Sequence, residues 1–119
     1  MPYKYNKYQK AWLDDLKTTN AKQCTGVLND GEGGFCCLGR AYVANGYRAV
    51  SRTYEGKLGR LGVKMLEKLK LHGGSGRFLE NVGDDYNSLT QLNDQMELPF
   101  KQIAEFIEEN PEKVFKDAV

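Results

Sequence analysis

The spacing of apolar positions predicts helices towards both ends of the chain and a glycine-rich, strand-forming stretch between them. Tyr5, Tyr8, Trp12 and Leu16 recur every three or four residues, with Leu13 beside them, which is the period of one helix face. Asn6 and Gln9 can form a capping box, so a first helix is predicted from about Lys7 to Lys17, ended by Thr18-Thr19-Asn20. An aromatic stripe at this spacing packs inward more often than it offers bases a stacking platform. A second helix is predicted over Cys37 to Asn45, closed by Asn45-Gly46.

Leu58, Leu61, Met65, Leu66 and Leu69 predict a third helix from about Leu58 to Leu71. Lys57, Arg60, Lys64, Lys68 and Lys70 lie on its outer face, and Gly59 and Gly62 weaken its first turns. Ser88 precedes a short helix carrying Leu89, Leu92 and Met96. Pro99 then opens the last long helix, with Phe100, Ile103, Ala104 and Ile107 inward and Glu105, Glu108 and Glu109 outward. Asn110-Pro111 stops it, leaving one extra turn and a frayed tail over Glu112 to Val119.

The stretch from Gln23 to Gly39 holds all three cysteines and the clearest turn signal, Asn29-Asp30-Gly31. Cys24 to Leu28 and Phe35 to Leu38 flank that turn as short apolar runs, so an antiparallel hairpin leading into a helix is expected. Tyr47 to Tyr54 alternates loosely and reads as a third strand. His72 to Asp85 is polar and begins with Gly73-Gly74-Ser75-Gly76, the pattern of a mobile connection. The expected fold is one α+β domain over residues 1–119, with four or five helices packed around a small antiparallel β-hairpin or sheet.

Composition narrows the class. A chain of 119 residues with 40% hydrophobic and 28% charged content can bury a core without disulfides or a metal. No apolar run approaches the roughly 20 residues that cross a bilayer, and Met1 to Tyr5 lacks the apolar core of a signal peptide, so no membrane partner and a cytoplasmic address are expected. An odd number of cysteines, two of them adjacent, points to free thiols. The net charge of +1 conceals a split: residues 1–79 carry 14 Lys/Arg against 6 Asp/Glu, and residues 80–119 carry 3 against 10. The halves can neutralise each other within one fold or across a homodimer, or present faces of opposite sign to different partners.

Several residues carry candidate chemistry. Cys36 or Cys37 at a helix start could be a thiolate nucleophile with His72, the one histidine, and the strand-to-helix placement of Cys37 resembles that of NlpC-type cysteine peptidases. That family implies a histidine on a strand, whereas His72 is expected to end a helix; the alternative is a buried thiol acting as a small hydrophobe. Cys24, Cys36, Cys37 and His72 have a zinc-like count without zinc-like spacing, and Asp84, Asp85 and Asp94 lack the alternation of a calcium loop, so no metal or other cofactor is expected. The Gly73–Gly76 loop with Arg77, together with Arg40, Arg48, Arg52 and the lysine face of the third helix, could hold a nucleotide, a cyclic dinucleotide or a similar phosphorylated ligand, although the loop lacks the Lys-Ser/Thr of a Walker sequence. Duplex DNA fits poorly with an acidic last third and no helix-turn-helix pattern. Gln23, Asn93 and Asp94 stand out as polar residues with a role beyond solubility, against the alternative that they satisfy local backbone groups.

Trp12-Leu13 with Leu16, Lys22-Gln23, Gly26 and Leu28, Phe35-Cys36-Cys37-Leu38-Gly39, Ser88-Leu89-Thr90, Leu92-Asn93-Asp94, and Phe100 with Ile103-Ala104 and Ile107 to Asn110 resemble, in order and spacing, a group of small proteins encoded by tailed bacteriophages. Arg40 departs from the small aliphatic residue expected after the Phe-Cys-Cys-Leu-Gly string. The resemblance implies origin rather than activity and carries no catalytic residues over. It implies an accessory protein that binds something of the host: a host protein first, a nucleotide-type signal or other phosphorylated ligand second. A cysteine-dependent hydrolase using Cys37 and His72 is the third reading.

Overall fold

The computed structural model describes residues 3–82 and 86–117. In chain order the elements are α1 (Lys7–Thr18), β1 (Lys22–Gln23), β2 (Gly34–Phe35), α2 (Cys37–Ala44), α3 (Val63–Leu69), β3 (Arg77–Val82), β4 (Tyr86–Ser88), α4 (Leu89–Asp94), α5 (Phe100–Glu109) and α6 (Pro111–Val114). The α+β class holds, with six helices and two small two-stranded sheets among the described residues.

Helix α1 is the central strut. Its capping box forms as expected, Asn6 Oδ1 accepting from the Gln9 N–H and Gln9 Oε1 from the Asn6 N–H, each at 2.8 Å. Trp12, Leu13 and Leu16 are buried, and α1 packs against α2, α3 and α5. The Trp12 indole N–H donates to the Cys37 carbonyl at 2.8 Å, tying α1 to the first turn of α2. A buried indole needs such an acceptor, because leaving its N–H unpaired costs about 1–3 kcal/mol.

The expected hairpin is replaced by a different pairing. Strands β1 and β2 run parallel, Lys22 opposite Gly34 and Gln23 opposite Phe35. Of the antiparallel arm only the bridge between Asn29 and Phe35 remains. Asp30 Oδ1 accepts from the N–H groups of Glu32 and Gly34 at 2.7 and 2.8 Å, closing the turn on itself. Phe35 meanwhile has its other edge taken by Gln23 and Cys24, whose N–H donates to the Phe35 carbonyl at 2.8 Å. The antiparallel sheet lies elsewhere, between β3 and β4, with Arg77 opposite Ser88 and an irregularity before Val82 meets Tyr86.

Three further expectations are corrected. Residues 47–54 form no strand: the Ala49 and Ser51 carbonyls accept from the buried Asn29 amide, and the Arg48 carbonyl from the Tyr54 hydroxyl. Side chains thus replace a strand partner. Helix α3 begins at Val63 rather than near Leu58, because the Leu58 carbonyl accepts the Leu28 N–H and the Leu61 N–H donates to the Gly74 carbonyl. The Gly73–Gly76 segment leads into β3 instead of a long polar loop. The tail is fixed as far as Phe115, which is fully buried, bridges Leu71 and is followed by a bond from the Lys116 N–H to the Lys70 carbonyl. Phe115 also stacks on Tyr3 at 5.2 Å.

Candidate functional site

Two regions gather the polar chemistry: a buried junction beneath the start of α2 and a basic face outside α3. The junction is built on Asn93, which is fully buried on α4. Its Oδ1 accepts from the Cys37 N–H at 3.1 Å and from Gln23 Nε2 at 2.8 Å, while its Nδ2 donates to the Cys24 carbonyl at 2.8 Å and to Asp94 Oδ1 at 2.8 Å. Gln23 Nε2 also donates to the Leu98 carbonyl at 2.7 Å. Gln23, Asn93 and Asp94 are therefore brought together, and most of their bonds serve backbone groups. The cavity beside them, lined by residues including Cys36, Cys37 and Asp94, has a volume of about 10 Å³. That is about the size of one water and excludes any organic ligand.

The cysteines at this junction are dry. Cys36 is the N-cap of α2, its sulfur accepting from the Gly39 N–H at 3.4 Å. Burial nevertheless outweighs that bond and pushes the Cys36 thiol up to about 12. Burial pushes Cys37 well above the usual thiol range too, and its Sγ faces the Leu89 carbonyl at 3.8 Å. Burial, then the nearby Asp30 carboxylate, also raises the half-buried Cys24. His72 does not line the junction. It follows the Leu71–Phe115 bridge, and its buried Nε2 has no hydrogen-bond partner among the described residues. Burial, then the Lys116 ammonium, lowers its pKa. A thiolate nucleophile needs electropositive, accessible surroundings, and neither cysteine of the pair has them.

Of the residues expected to hold a phosphorylated ligand, Arg40 and the glycine loop do not assemble into a site. Arg40 is 8% exposed and makes a bidentate pair with Asp15 at 2.7 and 2.8 Å, with the Phe35 ring 4.7 Å from its guanidinium carbon. Its donors are directed inward. In the glycine loop the Gly73, Gly74, Ser75 and Gly76 carbonyls accept from Gly76, Leu61, Thr90 and Leu89, so the loop holds β3 and α4 in place. Gly76 sits at φ +73, where a Cβ would strike Leu89 at 2.8 Å. Arg77 is exposed at the start of β3, opposite Ser88. Asp84 and Asp85 lie outside the described residues.

The basic face is partly what the sequence suggested and partly new. Between residues 48 and 64, Val50, Leu58 and Val63 are 76%, 48% and 69% exposed, interspersed with Arg48, Arg52, Lys57, Arg60 and Lys64. The one carboxylate of this stretch, Glu55, turns away to serve α3. Its oxygens accept from the N–H groups of Lys64 and Met65 at 2.8 and 3.2 Å and from the Tyr42 hydroxyl at 2.6 Å. Periodicity gave no sign of this cap, since Glu55 lies eight residues before α3 and at φ 53. Further along α3, Lys64, Lys68 and Lys70 line an open cleft of about 350 Å³ with Asn6, Tyr8 and Glu67. Helix α1 packs against both basic α3 and α5, whose Glu105, Glu108 and Glu109 are exposed.

Among the described residues, no helix is long and apolar enough to cross a membrane. No protein-family model, curated protein or solved structure matches the chain.

Proposed function

We propose that the chain is a non-enzymatic binding protein, a bacteriophage accessory protein that docks on an acidic surface of a host protein. The observation that carries this reading is the 48–64 segment, where Val50, Leu58 and Val63 are exposed among five cations while the one carboxylate, Glu55, is engaged by the N–H groups of Lys64 and Met65. Exposed aliphatic side chains interspersed with charge of one sign suit a partner patch that is both apolar and acidic. The phage origin rests on the sequence resemblance. The dry cysteines and the water-sized cavity beside them favour binding over cysteine-dependent hydrolysis.

The test is affinity capture from bacterial lysate, comparing the wild-type chain with a Lys57→Glu/Arg60→Glu variant and a Glu109→Lys control on α5. One acidic protein captured stoichiometrically by wild type and control, and lost in the double variant, supports the reading. Equal capture by all three, or capture of nothing, contradicts it.

A further inference from the structure

The open cleft between α1 and α3 is a second site with a different chemistry. Its lining supplies Lys64, Lys68 and Lys70 against the single carboxylate Glu67. A fourth ammonium, that of Lys7, shares the Tyr8 ring with Lys68, since Lys7 Nζ and Lys68 Nζ each lie 5.1 Å from the ring centroid. The two nitrogens are thus held within about 10 Å of one another by one aromatic ring, whose quadrupole favours cations near its face. Neither ion pair found among the described residues, Lys17–Glu108 or Arg40–Asp15, involves any of these four lysines.

The backbones beneath these lysines are fixed. Lys64 and Lys68 are one turn apart on α3, and the Lys68 carbonyl accepts from Asn6 Nδ2 at 2.9 Å, tying α3 to the start of α1. The Lys70 carbonyl is bonded by the Lys116 N–H at 2.7 Å. Three ammonium groups against one carboxylate in the lining leave a net positive local potential, which favours an anion of high charge density. At about 350 Å³ the cleft is within the size range of small-ligand sites, unlike the cavity at Asn93.

From this arrangement we infer that the Tyr8 cleft binds a small molecule carrying a diphosphate group, whose greater charge and larger number of oxygens let it meet several of these ammonium groups at once. This site goes beyond the protein-docking reading and shares only Lys64 with that surface. Of the residues expected from the sequence to hold a phosphorylated ligand, the lysines of α3 take part in it, and Arg40 and the glycine loop do not.

The test is calorimetric titration with inorganic pyrophosphate at physiological salt, with amide chemical shifts recorded in parallel. The inference expects one-to-one binding, shifts centred on residues 6–8 and 64–70, and binding at least tenfold tighter than orthophosphate or sulfate at matched ionic strength. Lys68→Gln should weaken pyrophosphate at least tenfold without moving the thermal midpoint, while Lys101→Gln on α5 should leave it unchanged. ADP binding tighter than pyrophosphate would support a nucleotide as the source of the group, and equal binding would support the phosphates alone. Equal response to pyrophosphate and sulfate, or equal loss in both lysine variants, overturns the inference.

Discussion

Asn93 replaces a rung of the β1–β2 ladder by accepting the N–H of Cys37 at 3.1 Å. In the parallel register of Lys22 with Gly34 and Gln23 with Phe35, the next bond would join the Cys24 carbonyl to the Cys37 N–H. The Asn93 carboxamide stands between them, donating to one and accepting from the other. Strand pairing thus passes into the start of α2 through a side chain of α4. Asn93→Ala would strand two buried backbone groups, and at about 1–3 kcal/mol each a loss of roughly 3 kcal/mol is expected. Urea denaturation measures it; a loss below about 1 kcal/mol would show that water satisfies both groups equally well.

Gly39 explains why the Phe35 to Gly39 string ends in glycine. A Cβ there would lie 1.9 Å from the Leu28 carbonyl oxygen, which is backbone and also accepts from the Cys36 N–H at 3.2 Å. Gly39→Ala should therefore cost about 3 kcal/mol or more, as other overpacked core positions do at their upper range. A variant melting within a few degrees of the wild type would refute this close approach.

Arg40 and Asp15 form a largely buried pair at the α1–α2 contact. Arg40→Ala leaves the Asp15 carboxylate without its partner and should cost about 3 kcal/mol, the low end for broken buried pairs. Removing both partners in Asp15→Asn/Arg40→Met should cost less than that single change. A double-mutant cycle with no coupling energy would contradict the assignment.

Thiol reactivity separates binding from cysteine chemistry. Cys24 is half-buried and should be alkylated by iodoacetamide first, whereas Cys36 and Cys37 should resist until the protein unfolds. Peptide mapping after timed alkylation near neutral pH reads this directly. Rapid labelling of native Cys37 would reopen the hydrolase reading.

Glu55 links stability to pH. Burial alone would raise its pKa, but the Tyr42 hydroxyl, the N–H groups of Lys64 and Met65, and the Lys64 ammonium together hold it below the ordinary glutamate value. A folded-state pKa below the unfolded one gives stability that is present above the unfolded value and lost as pH falls through the folded value. The chain should lose stability below about pH 4.5, and Glu55→Gln should flatten that part of the profile. Near pH 7 the variant should also lose about 1 kcal/mol as the α3 cap weakens. Melting curves from pH 3 to 7 test both effects, and parallel profiles for the two proteins would contradict them.

The sequence was most legible where structure is local. The Asn6–Gln9 capping box, the buried Trp12–Leu13–Leu16 stripe, the Ser88 cap and the inward face of α5 all depend on residues a few positions apart. Gln23 and Asn93 could be singled out, but their joining across 70 residues could not. The hairpin expectation failed because Asn29-Asp30-Gly31 does form a tight turn, while Phe35 is captured by a strand lying before that turn. Arg40 read as a ligand residue because nothing local reveals Asp15, 25 residues away, as its partner. The Tyr8 cleft stayed hidden for the same reason, since Tyr8 and Lys68 meet only in the fold.

Binding through residues 48–64 is read out by hydrogen–deuterium exchange of the captured complex against the free chain. New protection of amides between residues 48 and 64 and little change on α5 are expected. Protection confined to α5, or none over 48–64, would contradict it.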